Sequence, residues 1–177
     1  MAGLTQGLIQ IYTGAGKGKT TAALGLTLRA AGSGLRVAVI QFMKGQGAGG
    51  ELESLKRLEP ECRVEYFGAP GWVHKGDNLV EHRQEADRAL RRAREIVFSE
   101  AWDIVILDEI FNALWFELIP EKEVLDLLEQ KPTQVELVLT GRNASKSFIE
   151  RADLVTEMVE IKHPFQQGIR ARPGIEF

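Results

Sequence analysis

Short apolar runs recur along the chain and alternate with longer stretches of helical periodicity. The runs Leu8–Tyr12, Val37–Phe42, Val64–Phe67, Ile104–Asp108, Val135–Thr140 and Val155–Ile161 read as strands. Several are nearly continuous in Val, Ile and Leu, as expected of strands covered on both faces. Lys19–Ala31, Glu51–Leu58, Leu79–Ser99 and Glu121–Gln130 read as helices. Gly32-Ser33-Gly34 stops the first, and Pro120 and Pro132 bracket the last. On the third, Ala86, Leu90, Ala93 and Val97 share a face at helical spacing. Its arginines, Arg83, Arg88, Arg91, Arg92 and Arg94, are interleaved with Glu81, Glu85, Asp87 and Glu95, and Asp87–Arg91 is an i,i+4 pair. That pattern describes a solvated face. Alternating strands and helices predict an α/β fold with a mostly parallel central sheet. With 177 residues, no repeats and no linker, a single domain over 1–177 is expected.

Composition narrows the classes. Hydrophobic residues make up 44% and charged residues 27%, as in a soluble globular protein. A formal net charge of −3 argues against a general nucleic-acid binder, which needs a basic face. No run approaches the roughly 18 apolar residues of a membrane span. The single cysteine, Cys62, permits no internal disulfide and has no paired base nearby in the sequence. A cytoplasmic location is expected, with neither a nucleic-acid nor a membrane partner.

Thr13-Gly14-Ala15-Gly16-Lys17-Gly18-Lys19-Thr20-Thr21 follows the first apolar run and opens the first helix. Strand, glycine-rich turn and Gly-Lys-Thr at a helix start form the context of a phosphate-binding loop. Its N–H groups and the helix N-terminus attract phosphate, Lys19 adds a full charge, and the Thr20 hydroxyl suits Mg²⁺. The usual pattern has glycine where this chain has Thr13. Asp108-Glu109 ends the fourth apolar run, and carboxylates at a strand's carboxyl end suit a cation bound to phosphates. Glu109 is taken as the metal contact and Asp108 as its neighbour or support. Arg142, in Thr140-Gly141-Arg142, reaches phosphate, a substrate carboxylate or only solvent, and Arg29 on the first helix meets either the nucleotide or solvent. Trp72 and His74 stand in a Gly- and Pro-rich loop where a large aromatic has no evident core role. Phe111, Trp115 and Phe116 read as core, His163 as structural and His82 as solvated. No Ser/His/Asp set, no Cys/His metal spacing and no evident general base stands out, so an enzyme here would work by positioning and electrostatics.

Several separated stretches are similar to one family. These are residues 13–23, Gln41-Phe42-Met43-Lys44-Gly45, Leu107-Asp108-Glu109, Thr140-Gly141-Arg142, Ala152-Asp153-Leu154-Val155-Thr156-Glu157, Lys162-His163-Pro164-Phe165 and Gly174-Ile175-Glu176-Phe177. Together they resemble the ATP:corrinoid adenosyltransferases, including Thr13 in place of the first loop glycine. The resemblance implies a three-layer P-loop NTPase fold of the RecA-like type and a homodimer. It implies transfer of the 5′-deoxyadenosyl group of ATP to Co(I) of a reduced corrinoid, with triphosphate leaving. The corrinoid would be cob(I)alamin or cob(I)yrinic acid a,c-diamide, and a flavoprotein or other reductase would supply Co(I). By family position, Gly14, Ala15, Gly16, Lys17, Gly18, Lys19, Thr20, Thr21 and Arg29 contact the nucleotide. Thr20 and Glu109 hold Mg²⁺ or Mn²⁺, and Lys19 and Glu109 are catalytic. The family's Gly-aromatic-x-aromatic loop reads Gly71-Trp72-Val73-His74 here, which places Trp72 and His74 against the corrinoid. Alternatives are a P-loop ATPase or phosphotransferase acting at phosphorus, and a corrinoid-binding delivery protein.

Overall fold

A strand buried on both faces must find apolar cover above and below, and the four inner strands do so. The computed structural model describes residues 3–45, 50–71, 73 and 79–176. Its strands are β1 (Ile9–Thr13), β2 (Val37–Gln41), β3 (Cys62–Tyr66), β4 (Ile104–Asp108), β5 (Glu136–Thr140) and β6 (Leu154–Glu157). Its helices are α1 (Lys19–Gly32), α2 (Gly50–Leu55), α3 (Val80–Val97), α4 (Ile110–Trp115), α5 (Glu121–Gln130) and α6 (Lys146–Ile149). The six strands form one sheet in the order β3-β2-β4-β5-β1-β6. Every pairing is parallel.

Side chains alternate between the faces with the period of two that a strand imposes. Ile11, Ile40, Val105, Leu107, Leu137 and Leu139 pack under α3, α4 and α5 with Leu90, Phe111 and Leu127. Val37, Val39, Ile104, Ile106 and Val138 pack against Ala23 and Ala30 of α1. Cys62, Val64 and Tyr66 of β3 face Leu52 and Leu55 of α2. The result is the three-layer α/β arrangement read from the sequence. The expected face of α3 is buried through Ala86, Leu90, Ala93 and Val97.

Parallel pairing brings all strand carboxyl ends to one edge. β5 lies between β1, which leads into the glycine-rich loop, and β4, which ends in Asp108. Loop and acids are therefore two strand spacings apart, roughly 10 Å, with Thr140 between them. At the opposite edge, carboxylates accept the N–H groups that enter the strands: Asp153 from Ile9 (2.8 Å), Asp103 from Arg36 (2.7 Å) and Glu136 from Leu8.

Three differences from the sequence reading are local. β6 ends at Glu157 rather than Ile161, because its partner β1 ends at Thr13; the Met158 N–H makes the last bond of the pairing, to Thr13 O (2.8 Å). Helices α4 and α6 span 6 and 4 residues, too few for a periodic pattern to show. Phe111 is core and Phe116 packs against it, but Trp115, the last residue of α4, is 49% exposed.

Candidate active site

The loop between β1 and α1 is folded onto the chain that follows β6. The Gly16 N–H donates to Met158 O (2.7 Å). A Cβ on Gly16 would lie 2.7 Å from that same oxygen, so only glycine permits the approach. Lys19, 7% exposed, donates from Nζ to Gly14 O (2.9 Å) and Gly16 O (2.7 Å). Its ammonium thus closes the loop on itself. Thr13 has a distinct use here: its Oγ1 accepts from the Ala144 N–H (3.2 Å) and ties the loop to the segment after β5. A glycine at that position would lose the contact. Lys17 turns outward, donating to Ile175 O (2.8 Å) and pairing with Glu176 (3.2 Å). Ala15 and Thr21 are exposed.

Asp108 is fully buried at the end of β4. Its Oδ1 accepts from the hydroxyls of Thr20 (2.9 Å) and Thr140 (2.7 Å), and its Oδ2 accepts from Gln41 Nε2 (3.1 Å). One carboxylate therefore gathers the ends of β2, β4 and β5 and the start of α1. Glu109 follows in the left-handed region at φ 62°, and its N–H donates to Thr140 Oγ1 (3.0 Å). Its Oε2 accepts from Asn112 Nδ2, and Asn112 Oδ1 accepts from the Arg142 N–H (2.8 Å). Gly141, at φ +137°, makes that junction possible, since a Cβ there would meet Phe111 Cβ at 2.8 Å. Loop, acid and Arg142 turn are thus one hydrogen-bonded unit.

A sequence model described as ATP:corrinoid adenosyltransferase BtuR/CobO/CobP matches residues 5–177. The chain belongs to the ATP:corrinoid adenosyltransferase family. A corrinoid adenosyltransferase of Sinorhizobium sp is 42% identical over 173 residues, covering 97% of this chain and 81% of the relative. One from Escherichia coli (strain K12) is 34% identical over 172 residues, covering 97% and 86%. The corrinoid adenosyltransferase CobA of Salmonella typhimurium is 33% identical over 177 residues, with the same coverage.

In this adenosyltransferase the charges around the acid are mixed. Burial, then the neighbouring Asp108, pushes the Glu109 carboxyl above its ordinary range, while Lys44, Lys19 and Arg142 oppose the rise. Burial, and to a lesser extent Arg142, lowers the Lys19 ammonium, and Glu109 and Asp108 pull the other way. The charges of Lys44 and Arg142 thus both bear on the acid, and that of Arg142 bears on the loop lysine as well. Lys44 lies just past β2, where its N–H donates to Phe67 O (2.9 Å). It was not singled out from the sequence, although Gln41-Phe42-Met43-Lys44-Gly45 was among the matching stretches. Gln41 and Asn112 carried no sequence signal as site residues.

The donor set fits a hard cation shared with phosphates. Thr20, Asp108 and Glu109 offer only oxygen. Among the described residues no group of three or more His, Cys, Asp or Glu side chains could hold a metal alone. Such a cation would take its remaining ligands from phosphate and water, the usual habit of Mg²⁺. Asp108 is already engaged by its three donors, which leaves the half-buried Glu109 as the better ligand.

Arg29 is farther from the loop. It lies on the last turn of α1, exposed, ten residues beyond Lys19 and so roughly 15 Å along the axis at about 1.5 Å per residue. Its charge bears on Tyr12. Trp72 and His74 lie outside the described residues. The flanking Val73 is partly buried and packs against the hydrophobic core. His163 is structural as expected, its Nδ1 accepting from the Phe165 N–H (3.2 Å). Cys62 is buried in β3, where desolvation pushes its thiol up to about 11, the opposite of nucleophile activation.

Proposed function

We propose that this adenosyltransferase acts by holding the triphosphate of ATP as a leaving group while Co(I) of a reduced corrinoid attacks the 5′ carbon. The cobalt lone pair forms the Co–C bond, the C5′–O bond breaks, and its electrons pass to the triphosphate oxygen. The observation that carries this reading is that the loop bearing Lys19, the Asp108-Glu109 pair and the turn bearing Arg142 are hydrogen-bonded together at one end of the sheet, through Thr20, Thr140 and Asn112. Positive charge gathered there suits a group that becomes more anionic as the bond breaks.

Co(I) is itself a strong nucleophile, so the protein needs no general base. Its task is to keep the 5′ carbon in line with cobalt. Gly14 to Thr21 hold the triphosphate through loop N–H groups, the helix N-terminus and Lys19. Arg142 adds a charged donor from the neighbouring strand end. Glu109 and Thr20 hold Mg²⁺ or Mn²⁺, which would screen the developing phosphate charge. Trp72 and His74 face the corrinoid. Arg29 completes the nucleotide site by family position. A reductase supplies Co(I), and the working unit is a homodimer in the cytoplasm.

The test is anaerobic incubation with Mg·ATP and chemically reduced cobalamin. The expected products are a cobalt–carbon bond, seen in the absorbance spectrum, and an equal amount of triphosphate. ADP with no cobalt–carbon bond would instead show attack at phosphorus. Corrinoid binding with neither product would show a delivery protein.

A further inference from the structure

We infer that Asn112 is a positioning residue that fixes the Glu109 carboxylate and couples it to the turn bearing Arg142. The inference rests on Glu109 being a ligand of the nucleotide-bound cation.

Asn112 lies in the first turn of α4, three residues past Glu109, and spans two elements with one amide. The backbone N–H of Arg142 can only donate, so the Asn112 oxygen must face it, at 2.8 Å. The amide NH₂ is thereby committed to Glu109 Oε2. No alternative flip satisfies both contacts.

The two contacts act on different degrees of freedom. Thr140 already fastens the Glu109 backbone by accepting its N–H (3.0 Å). It leaves the side chain free to rotate, and Asn112 removes that freedom. The other end of the amide pins the N–H of Arg142 one residue past Gly141, whose close seat on Phe111 fixes the approach of the turn. Acid and cation thus share one anchor. Displacing it moves both the cation ligand and a donor for the triphosphate.

The chemistry of the amide matters too. Asn112 holds Glu109 without neutralising it, so the full carboxylate charge remains for a cation. A lysine or arginine in its place would compete with the metal, and a hydrophobic residue would leave the acid to swing. Groups that orient metal ligands typically change metal affinity by roughly 10- to 100-fold when removed.

The experiment uses Mn²⁺ as the probe. The full chain is titrated with Mn²⁺ at an equimolar ATP concentration, and free Mn²⁺ is read by electron paramagnetic resonance against an ATP-only control. Wild type, Asn112→Ala, Glu109→Gln and the double variant are compared, with a melting temperature for each. Asn112→Ser replaces Asn112→Ala if the latter does not fold. The expected result is that Asn112→Ala weakens Mn²⁺ binding by about 10-fold or more. In the Glu109→Gln background the same change should weaken it by less than about 2-fold, because the partner it acts on is gone. A lower melting temperature with unchanged Mn²⁺ affinity would reduce Asn112 to a structural role and overturn the inference. Equal weakening in both backgrounds would overturn its action through Glu109. If Glu109→Gln alone leaves Mn²⁺ affinity unchanged, the metal assignment itself fails and the inference falls with it, a result distinct from the other two.

Discussion

Glu109 is held where the fold disfavours its charge. It is half-buried, beside the buried Asp108, in a left-handed backbone conformation that side chains seldom adopt. Burial raises its folded-state pKa above the unfolded value. By linkage its contribution favours folding only at low pH, and it becomes unfavourable as pH rises through the unfolded value toward the folded one. At neutral pH the ionised acid therefore costs stability in the ligand-free protein. Asn112, Lys19, Lys44 and Arg142 offset part of this cost, and a bound cation would offset more. Glu109→Gln should raise the melting temperature of the free protein by a few degrees while lowering turnover by about 100-fold or more. Paired melting curves and rate measurements at pH 7 check it. A variant that is both less stable and inactive would mean that Glu109 is structural.

At the scale of elements, β3 is an edge strand covered only in part, and an ion pair ties it to α3. Arg92 meets Glu65 through two nitrogens, Nε to Oε2 at 2.9 Å and the guanidinium end to Oε1 at 3.0 Å. Arg63 also reaches the same carboxylate, at 2.9 Å. The Arg92 hydrogen bond, more than the opposing burial, holds the Glu65 carboxyl below its usual range. A depressed folded-state value gives stability that is fully present above the unfolded pKa, about 4.3, and is lost as pH falls through the folded value. Glu65→Gln should therefore lower stability by about 1 kcal/mol at pH 7. The variant should also lose less stability than the parent on acidification below about pH 4. Urea unfolding at pH 7 and pH 3.5 measures both effects, and parallel losses at the two pH values would contradict the assignment.

The elements themselves were legible wherever a pattern ran long enough. Five of the expected strands fall within about two residues of their observed ends, since continuous Val, Ile and Leu leave few alternatives. The loop at Gly14–Thr21 and the acid at Glu109 were legible because both follow a strand directly. Gln41, Lys44 and Asn112 were not. Each acquires its role only when β2, β4 and β5 lie side by side, a pairing between segments tens of residues apart. The use of Thr13 as an acceptor for Ala144 was hidden for the same reason.

Over the whole molecule, the binding groups of the loop are engaged by other groups of the protein. Lys19 caps Gly14 and Gly16, the Gly16 N–H is bound to Met158, and Thr20 is bound to Asp108. A triphosphate must replace the Lys19 contacts with phosphate oxygens, and in doing so it binds the folded chain alone. A ligand at about 100 times its dissociation constant then stabilises the fold by about 2.7 kcal/mol. For a chain of 177 residues that corresponds to a rise in melting temperature on the order of 5–10 °C. If the loop grips a leaving group, inorganic triphosphate with Mg²⁺ should give this rise without any corrinoid, and adenosine at equal concentration should not. Lys19→Ala should abolish turnover and the triphosphate shift together, because the same ammonium carries both. Thermal unfolding with triphosphate, adenosine and ATP, for wild type and Lys19→Ala, separates the outcomes. A shift from adenosine alone, or one that survives the loss of Lys19, would place the affinity in the nucleoside pocket and remove the loop from the centre of the mechanism.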